Sequence, residues 1–537
     1  MKNFLLLWLG ALLSVAAAAR AVPTDLVAQI HFVGGSAMAA DTNAPAFSNL
    51  WCTAEAQALR KQTLDKLARA PYDRFKQKIV AGVSDEAALF RPLLDDALNA
   101  EWFLQIREAA GGSAECALAI QLPAGRARLW ETNLATALGA WTGMPLQPNA
   151  NGWMLKKHLP PDLIRFVRAG DWVVLGCGQD ELPLSGEMVR RILAGQRPGP
   201  VVSNAWLSLD LNWSRLSRWL PEFKSLELPE TQLQLTGRDG SLRWNGKLIY
   251  PQPLALALEP WRVPTNTIHM PIDSFAAVRG IAPWLQKQDW LRPYALSPLP
   301  NQLFVWAVAQ MPLQTFVAVP VPDGKKSLQE LERKLSNRTN WQNHFLLPLT
   351  MELTNNQLSW RGIPMADPKL QALHEPAGDV LFAGVFPNVQ PSQPLPPELL
   401  AQLAASNLVY YHWEVTSDRL KHLPHLTQLA LMVTRHRQLD AQSPAGKWLD
   451  RVGPALGVTV TEVKQTAPNE LTLQRKAPAG FTAVELIALA NWLEATNFPG
   501  CNLDLPPIRH RRPIPPPSNA PPARVPAGSP AASRTAP

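Results

Sequence analysis

Four histidines, His412, His422, His425 and His436, form the densest group of potential metal ligands in the chain. Zinc is held by imidazole and thiolate at close spacing. No cysteine or suitably spaced acid completes this set, Pro424 interrupts it, and Arg419, Lys421, Arg435 and Arg437 would repel a cation. The expectation is a solvated basic edge and no metal. His374-Glu375 opens like a zinc-protease helix, but Pro376 follows and no histidine stands in the fifth place of the motif. Gly324-Lys325 lacks the earlier glycine of a phosphate-binding loop, and Gly176-Cys177-Gly178 is too short for a dinucleotide turn. Neither G-x-S-x-G nor S-x-x-K occurs. No catalytic residue and no cofactor is therefore assigned. Scattered carboxylates leave no local signature, so an acid–base enzyme stays open. Asp95-Asp96 lies on a leucine-striped helix, where neighbours point about 100° apart, and reads as an exposed face.

The four cysteines allow three pairings. Cys116 and Cys177 sit inside runs that alternate like strands and read as small buried hydrophobes. Cys52 and Cys501 lie at element ends, one before the first long helix and one after the last, and form the candidate disulfide. Closing that loop would remove on the order of 5 kcal/mol of unfolded-state entropy. Twenty tryptophans stand against sixteen phenylalanines and five tyrosines. Each indole N–H needs a partner once buried, and the scatter of these residues reads as core packing.

These residues need elements to hold them, and the elements begin after a leader. Met1-Lys2-Asn3, an apolar run from Phe4 to Ala19 and Ala19-Arg20-Ala21 follow the pattern of a secretory signal over residues 1–21. Helices are expected over 53–69, after Ser84, over 129–141 and after Thr482, where Glu485 completes a capping box. Strands are expected over 102–107, 116–122, 152–157, 163–168 and 172–177.

The chain also resembles itself. Ser203-Asn204 matches Ser406-Asn407 (406 − 203 = 203), and Gly170-Asp171 matches Gly378-Asp379 (378 − 170 = 208). The strand pair and helix over 102–138 match 303–335, and Thr231-Gln232-Leu233 matches Thr427-Gln428-Leu429. Ordered anchors at near-constant offset imply repeated architecture. The expected fold is α+β: two units of mixed or antiparallel sheet with covering helices over 22–236 and 237–440, then a half unit over 441–504. Residues 505–537 contain eleven prolines and five arginines and no acid, the composition of a disordered extension. The net charge of +8 falls to +1 once the tail's five arginines, Lys2 and Arg20 are set aside. Such a near-neutral body is not a nucleic-acid clamp.

The duplicated units, with the segment Gly480-Phe481-Thr482-Ala483-Val484-Glu485-Leu486, resemble exported bacterial proteins of large duplicated α+β type whose function is uncharacterised. That resemblance implies a bacterial envelope location and carries no site residues. The leading functional expectation is an exported, non-catalytic binding or scaffolding protein. An alternative is a carrier of an amphiphile, lipid or glycan, in an apolar pocket between sheet and covering helix, and a third reading is a hydrolase. The basic tail suits salt-sensitive contact with anionic envelope polymers.

Overall fold

The computed structural model describes residues 25–75, 87–109, 112–156, 163–179, 182–219, 228–268, 271–289, 291–308, 314–336, 350–361, 367–385, 397–422, 440–496 and 498–500. The leader, the tail after 504, Ser84, His425, His436 and Cys501 lie outside them. Among the described residues no helix is long and apolar enough to cross a membrane.

Ten strands come from the first half of the chain: β1 (Leu26–Phe32), β2 (Trp102–Glu108), β3 (Ala114–Gln121), β4 (Gln147–Asn149), β5 (Gly152–Lys156), β6 (Leu163–Ala169), β7 (Trp172–Gly178), β8 (Leu207–Leu211), β9 (Glu230–Arg238) and β10 (Ser241–Ile249). Ten come from the second: β11 (Ile272–Arg279), β12 (Gln302–Val308), β13 (Thr315–Pro320), β14 (Thr350–Thr354), β15 (Gln357–Arg361), β16 (Lys369–Glu375), β17 (Gly378–Gly384), β18 (Leu408–Val415), β19 (Val458–Ala467) and β20 (Glu470–Ala477). All of them join one sheet, and every pairing is antiparallel. This replaces the expectation of a separate sheet for each unit.

The order of neighbours in the first half is β4-β5-β6-β7-β3-β2-β1-β8-β9-β10. In the second half it is β14-β15-β16-β17-β13-β12-β11-β18-β19-β20, the same order. Starting from the offset of 208 at the Gly-Asp turns and stepping through the registers from β7 to β8 and from β17 to β18 places Leu211 opposite Glu414 in the comparison (414 − 211 = 203). That is the offset read from Ser203-Asn204 and Ser406-Asn407. The segment over 441–504 supplies β19 and β20, which stand in the second half where β9 and β10 stand in the first. Thr427 to Leu429 lie outside the described residues.

The halves meet at β10 and β20, which pair over eight residues from Leu242↔Ala477 to Ile249↔Glu470. Helices cover the sheet, and those that follow β3 and β13, and β7 and β17, stand in matching places. α1 (Ala54–Phe75) and α2 (Ala87–Asn99) lie between β1 and β2; α3 (Ala124–Thr142) follows β3 and α4 (Pro183–Leu193) follows β7. α5 (Gly324–Ser336) follows β13 and α6 (Pro397–Leu403) follows β17, while α7 (Pro444–Val452) precedes β19 and α8 (Ala483–Glu494) closes the described chain. Ile120, Trp130, Trp153, Phe166 and Val173 form a core under α3. Phe275, Phe304, Trp306, Phe316 and Phe382 form the main core of the second half. Each such side chain stabilises the fold by about 1.5–3 kcal/mol through burial.

Several indoles find the partners they need: Trp130 donates to Asp96 at 2.9 Å, Trp153 to the Glu131 carbonyl at 3.1 Å and Trp244 to the Gly480 carbonyl at 2.8 Å. Asp96 is not on a free face, since Arg126 also grips both of its oxygens at 3.0 Å and ties α3 to α2. α8 begins with the expected capping box of Thr482 and Glu485. At its other end Glu494 accepts from Ala445 N at 3.0 Å and Gln62 at 2.9 Å, fastening α8 to α7 and α1.

Candidate functional site

β1 and β11 carry a register shift at the same ladder position, between Leu26 and Ala28 in one and between Ile272 and Ser274 in the other. A bulge leaves one residue unpaired and re-aims its side chain. In β1 that residue is Val27; in β11 it is Asp273, which is 1% exposed. His422 Nδ1 meets Asp273 Oδ2 at 2.9 Å, and Arg419 Nη1 lies 3.9 Å from Oδ1. Both partners sit on the helical residues 416–422 that follow β18.

Beside this pair, β18 buries His412 and Glu414, and β20 buries Arg475. Glu414 accepts from Ala483 N at 2.7 Å and from the Thr416 hydroxyl at 2.9 Å. Burial outweighs those bonds and pushes its carboxyl up to about 7. Burial, with help from Arg475 and Arg419, drives His412 down to about 3. Although His412 Nε2 stands 3.6 Å from Glu414 Oε2, this is not an ion pair: each group is displaced toward its neutral form. The ion pair belongs to Arg475 and Glu485, joined at 2.8 and 3.0 Å, with Arg475 Nε donating to Thr461 at 2.9 Å. Glu485 also accepts from Thr482 N at 2.8 Å, so one carboxylate caps α8 and neutralises the guanidinium.

The matching ladder positions in the first half are Val27, Leu209, Leu211 and Gly246. The charged cluster therefore belongs to one half only. It brings together His412 and His422, whose expected surroundings were solvent and basic residues; the structure corrects this, because β18 turns His412 inward and the bulge offers Asp273 to His422. An Asp–His pair can orient an imidazole as a base. Among the described residues no hydroxyl or thiol hydrogen-bonds to His422, and no group of three or more His, Cys, Asp or Glu side chains could hold a metal ion.

A second feature is a cleft of about 410 Å³ between the extended segment 254–268 and α6. Leu258, Trp261, Val263, Leu400 and Leu403 wall it, and Arg279 reaches it from the end of β11. Arg279 is 3% exposed. Its guanidinium donates to four carbonyls, Leu408 at 2.7 Å, Glu259 at 2.6 Å, Ala405 at 3.0 Å and Ser406 at 2.7 Å. The ring of Trp261 lies 4.7 Å from its central carbon. Among the described residues no carboxylate pairs with it, and burial holds its pKa below the ordinary value. Carbonyl dipoles and a ring face hold this cation without cancelling its charge. Position 279 carried no motif, and only the register of β11 against β18 shows where it points.

The cysteines are arranged differently from the reading of their neighbourhoods. Cys52 is exposed at the end of a short helix over Pro45–Trp51, and its proposed partner Cys501 lies outside the described residues. Cys116 and Cys177, read as buried hydrophobes, are half-buried and directly opposite each other on β3 and β7. Sixty residues separate them in the chain, so neither local pattern signals the pairing. Comparison of the chain with protein-family models, curated proteins and solved structures finds no match.

Proposed function

We propose that the protein is an exported, non-catalytic binding protein of the bacterial envelope that takes an amphiphile with an anionic head in the cleft beside Arg279. The observation that carries this reading is an apolar cleft of about 410 Å³ whose one charged lining residue is a buried guanidinium that meets carbonyls and the Trp261 ring and, among the described residues, no carboxylate. That volume falls within the range of small-molecule sites, and their pattern is an apolar wall with a few placed polar groups. A carboxylate or phosphate head would supply the missing countercharge, and the acyl chain would lie against Leu258, Val263, Leu400 and Leu403. The charged cluster is read as structural, because Glu414 accepts from the first turn of α8 and Glu485 caps that helix while pairing with Arg475. We also read the two ten-strand halves as copies of one unit, on the shared strand order, shared bulge and shared offsets. Export rests on the leader, and the tail's arginines suit anionic envelope polymers.

The test is titration of full-length protein with dodecanoate and, separately, with the uncharged dodecanol. Dodecanoate is expected to bind at least tenfold more tightly, and Ala404→Trp, which fills the cleft from its exposed rim, is expected to abolish binding without lowering the melting temperature. Equal affinity for acid and alcohol, or full binding by Ala404→Trp, would sink the reading.

A further inference from the structure

β3 and β7 run antiparallel with Cys116 opposite Cys177, so both side chains leave the sheet on one face. The bond from Leu122 N to Asp171 O, 2.8 Å, fixes the phase of this ladder. Six residues back along β3, the two cysteines fall on a hydrogen-bonded pair, where Cα atoms lie about 5.5 Å apart. That spacing falls inside the range a disulfide spans. The opposite face of the same strands is closed by α4. A Cβ on Gly176 would stand 2.7 Å from the Cβ of Ser185, and one on Gly178 would stand 3.1 Å from Leu182. Glu115 on that face accepts from Leu184 N at 2.7 Å and pins the first turn of α4. The backbone around the two thiols is thus held from behind, while the two cysteines are half-buried.

We propose that Cys116 and Cys177 are a redox pair that closes to a cross-strand disulfide by exchange with a small or protein-borne disulfide donor. The two thiols face each other closely enough to perturb one another: contact with Cys177, with burial, pushes Cys116 up, and the same contact holds Cys177 below the ordinary thiol range. Either cysteine, as the thiolate, opens the exchange. Its sulfur displaces one thiol from the donor and forms a mixed disulfide. The other cysteine then loses its proton and attacks that sulfur, releasing the second donor thiol. Two protein thiols are oxidised, and the donor disulfide is reduced to two thiols. The bridge closes the chain around α3, β4, β5 and β6, tying β7 to the strand it already pairs with. The proposal is independent of the amphiphile cleft, which lies in the other half.

The test uses full-length protein in which Cys52 and Cys501 are replaced by serine, equilibrated with glutathione and glutathione disulfide at fixed ratios and then acid-trapped. Peptide mapping is expected to find the segments holding Cys116 and Cys177 linked, with loss of two hydrogens and no retained glutathione. The oxidised protein is expected to melt higher than the reduced protein, and Cys177→Ser is expected to remove that difference while its reduced melting temperature stays that of the parent. Two free thiols at the most oxidising ratio, a stable glutathione adduct on each cysteine, or a link between two chains would each overturn the proposal. Peptide mapping of the chain with all four cysteines guards against a folding defect in the serine variant: a Cys116–Cys177 link there supports the pair, and its absence counts against it.

Discussion

Replacing Arg475 by methionine removes the cation from the most deeply buried ion pair of the described structure while leaving Glu485, 1% exposed at its side chain, with only the Thr482 amide to satisfy it. Breaking one partner of such a pair costs about 3–5 kcal/mol, because the surviving charge is stranded away from water. Glu485→Gln separates two roles of this residue: a glutamine can still serve the capping box, so the loss it causes reports the ion pair alone. The double variant Arg475→Met/Glu485→Met removes both charges and is expected to return to within about 1 kcal/mol of the native protein, less about 1 kcal/mol for the cap. Because the chain is large, the loss is best read locally, by hydrogen exchange of peptides from β20 and α8. At 1.4 kcal/mol for each factor of ten, protection in Arg475→Met is expected to fall by roughly a hundredfold to several thousandfold. Protection within tenfold of native in Arg475→Met, or a double variant worse than either single one, would refute the argument that charge stranding sets the stability of this joint.

The pH dependence has a definite sign. Glu414 is raised by burial to about 7, so in that carboxyl's window the folded state holds a proton the unfolded state has lost; its contribution is present at acid pH and is lost as pH rises through about 7. His412, lowered to about 3, works the other way, its contribution being full at neutral pH and lost as the pH falls below about 6.5. Between pH 5 and 7.5 the two trends oppose each other, so Glu414→Gln, which leaves that of His412 unopposed, is expected to make the denaturant midpoint rise more steeply with pH, and an unchanged slope would remove Glu414 as a contributor. Asp273→Val, which gives the second bulge the residue of the first, is expected to cost about 3 kcal/mol by stranding Arg419. A denaturant titration checks it, and a neutral Asp273→Val would show that Arg419 does not depend on this carboxylate. Deleting residues 505–537 is expected to abolish low-salt retention on an anionic polymer with the melting temperature unchanged; retention that survives the deletion removes the tail as the contact.

Much of the plan was legible because turns and caps are local. The Gly170-Asp171 and Gly378-Asp379 turns each need a backbone at positive φ, 55° and 108°, which keeps glycine there in both halves and makes the offset readable. The Thr482–Glu485 box was equally visible, since both partners lie within one helical turn. Three features were not. The single sheet depends on β10 meeting β20 across more than two hundred residues, and alternation in a strand says which face is buried but not which strand lies beside it. For the same reason β3 and β7 gave no sign that Cys116 faces Cys177. The cluster around Asp273 was hidden because its members come from β11, β18, the helical residues 416–422, β20 and α8, and none of these segments alone shows that they meet. Residues 441–504 looked like half a unit because β19 and β20 are separated from β18 by α7, whereas among the described residues no helix of that length interrupts β8, β9 and β10.

The central joint between β10 and β20 has a consequence for association. Asn245 pairs with Gln474, its own counterpart in the ladder, so the seam is the contact two identical halves would make about a twofold axis. An open sheet has two rims, and these here are β4 and β14, each paired on one side among the described residues. β4 is three residues long and carries Pro148, which has no N–H to offer; β14 is five residues long and carries Glu352. Both rims are poor templates for another strand, whereas β10 and β20 offer eight residues each. Covalent linkage of the halves thus occupies the long, adhesive edges of the described sheet, and a nick in the segment between Ile249 and Ile272 followed by separation would leave two self-complementary pieces prone to dimerise or to grow.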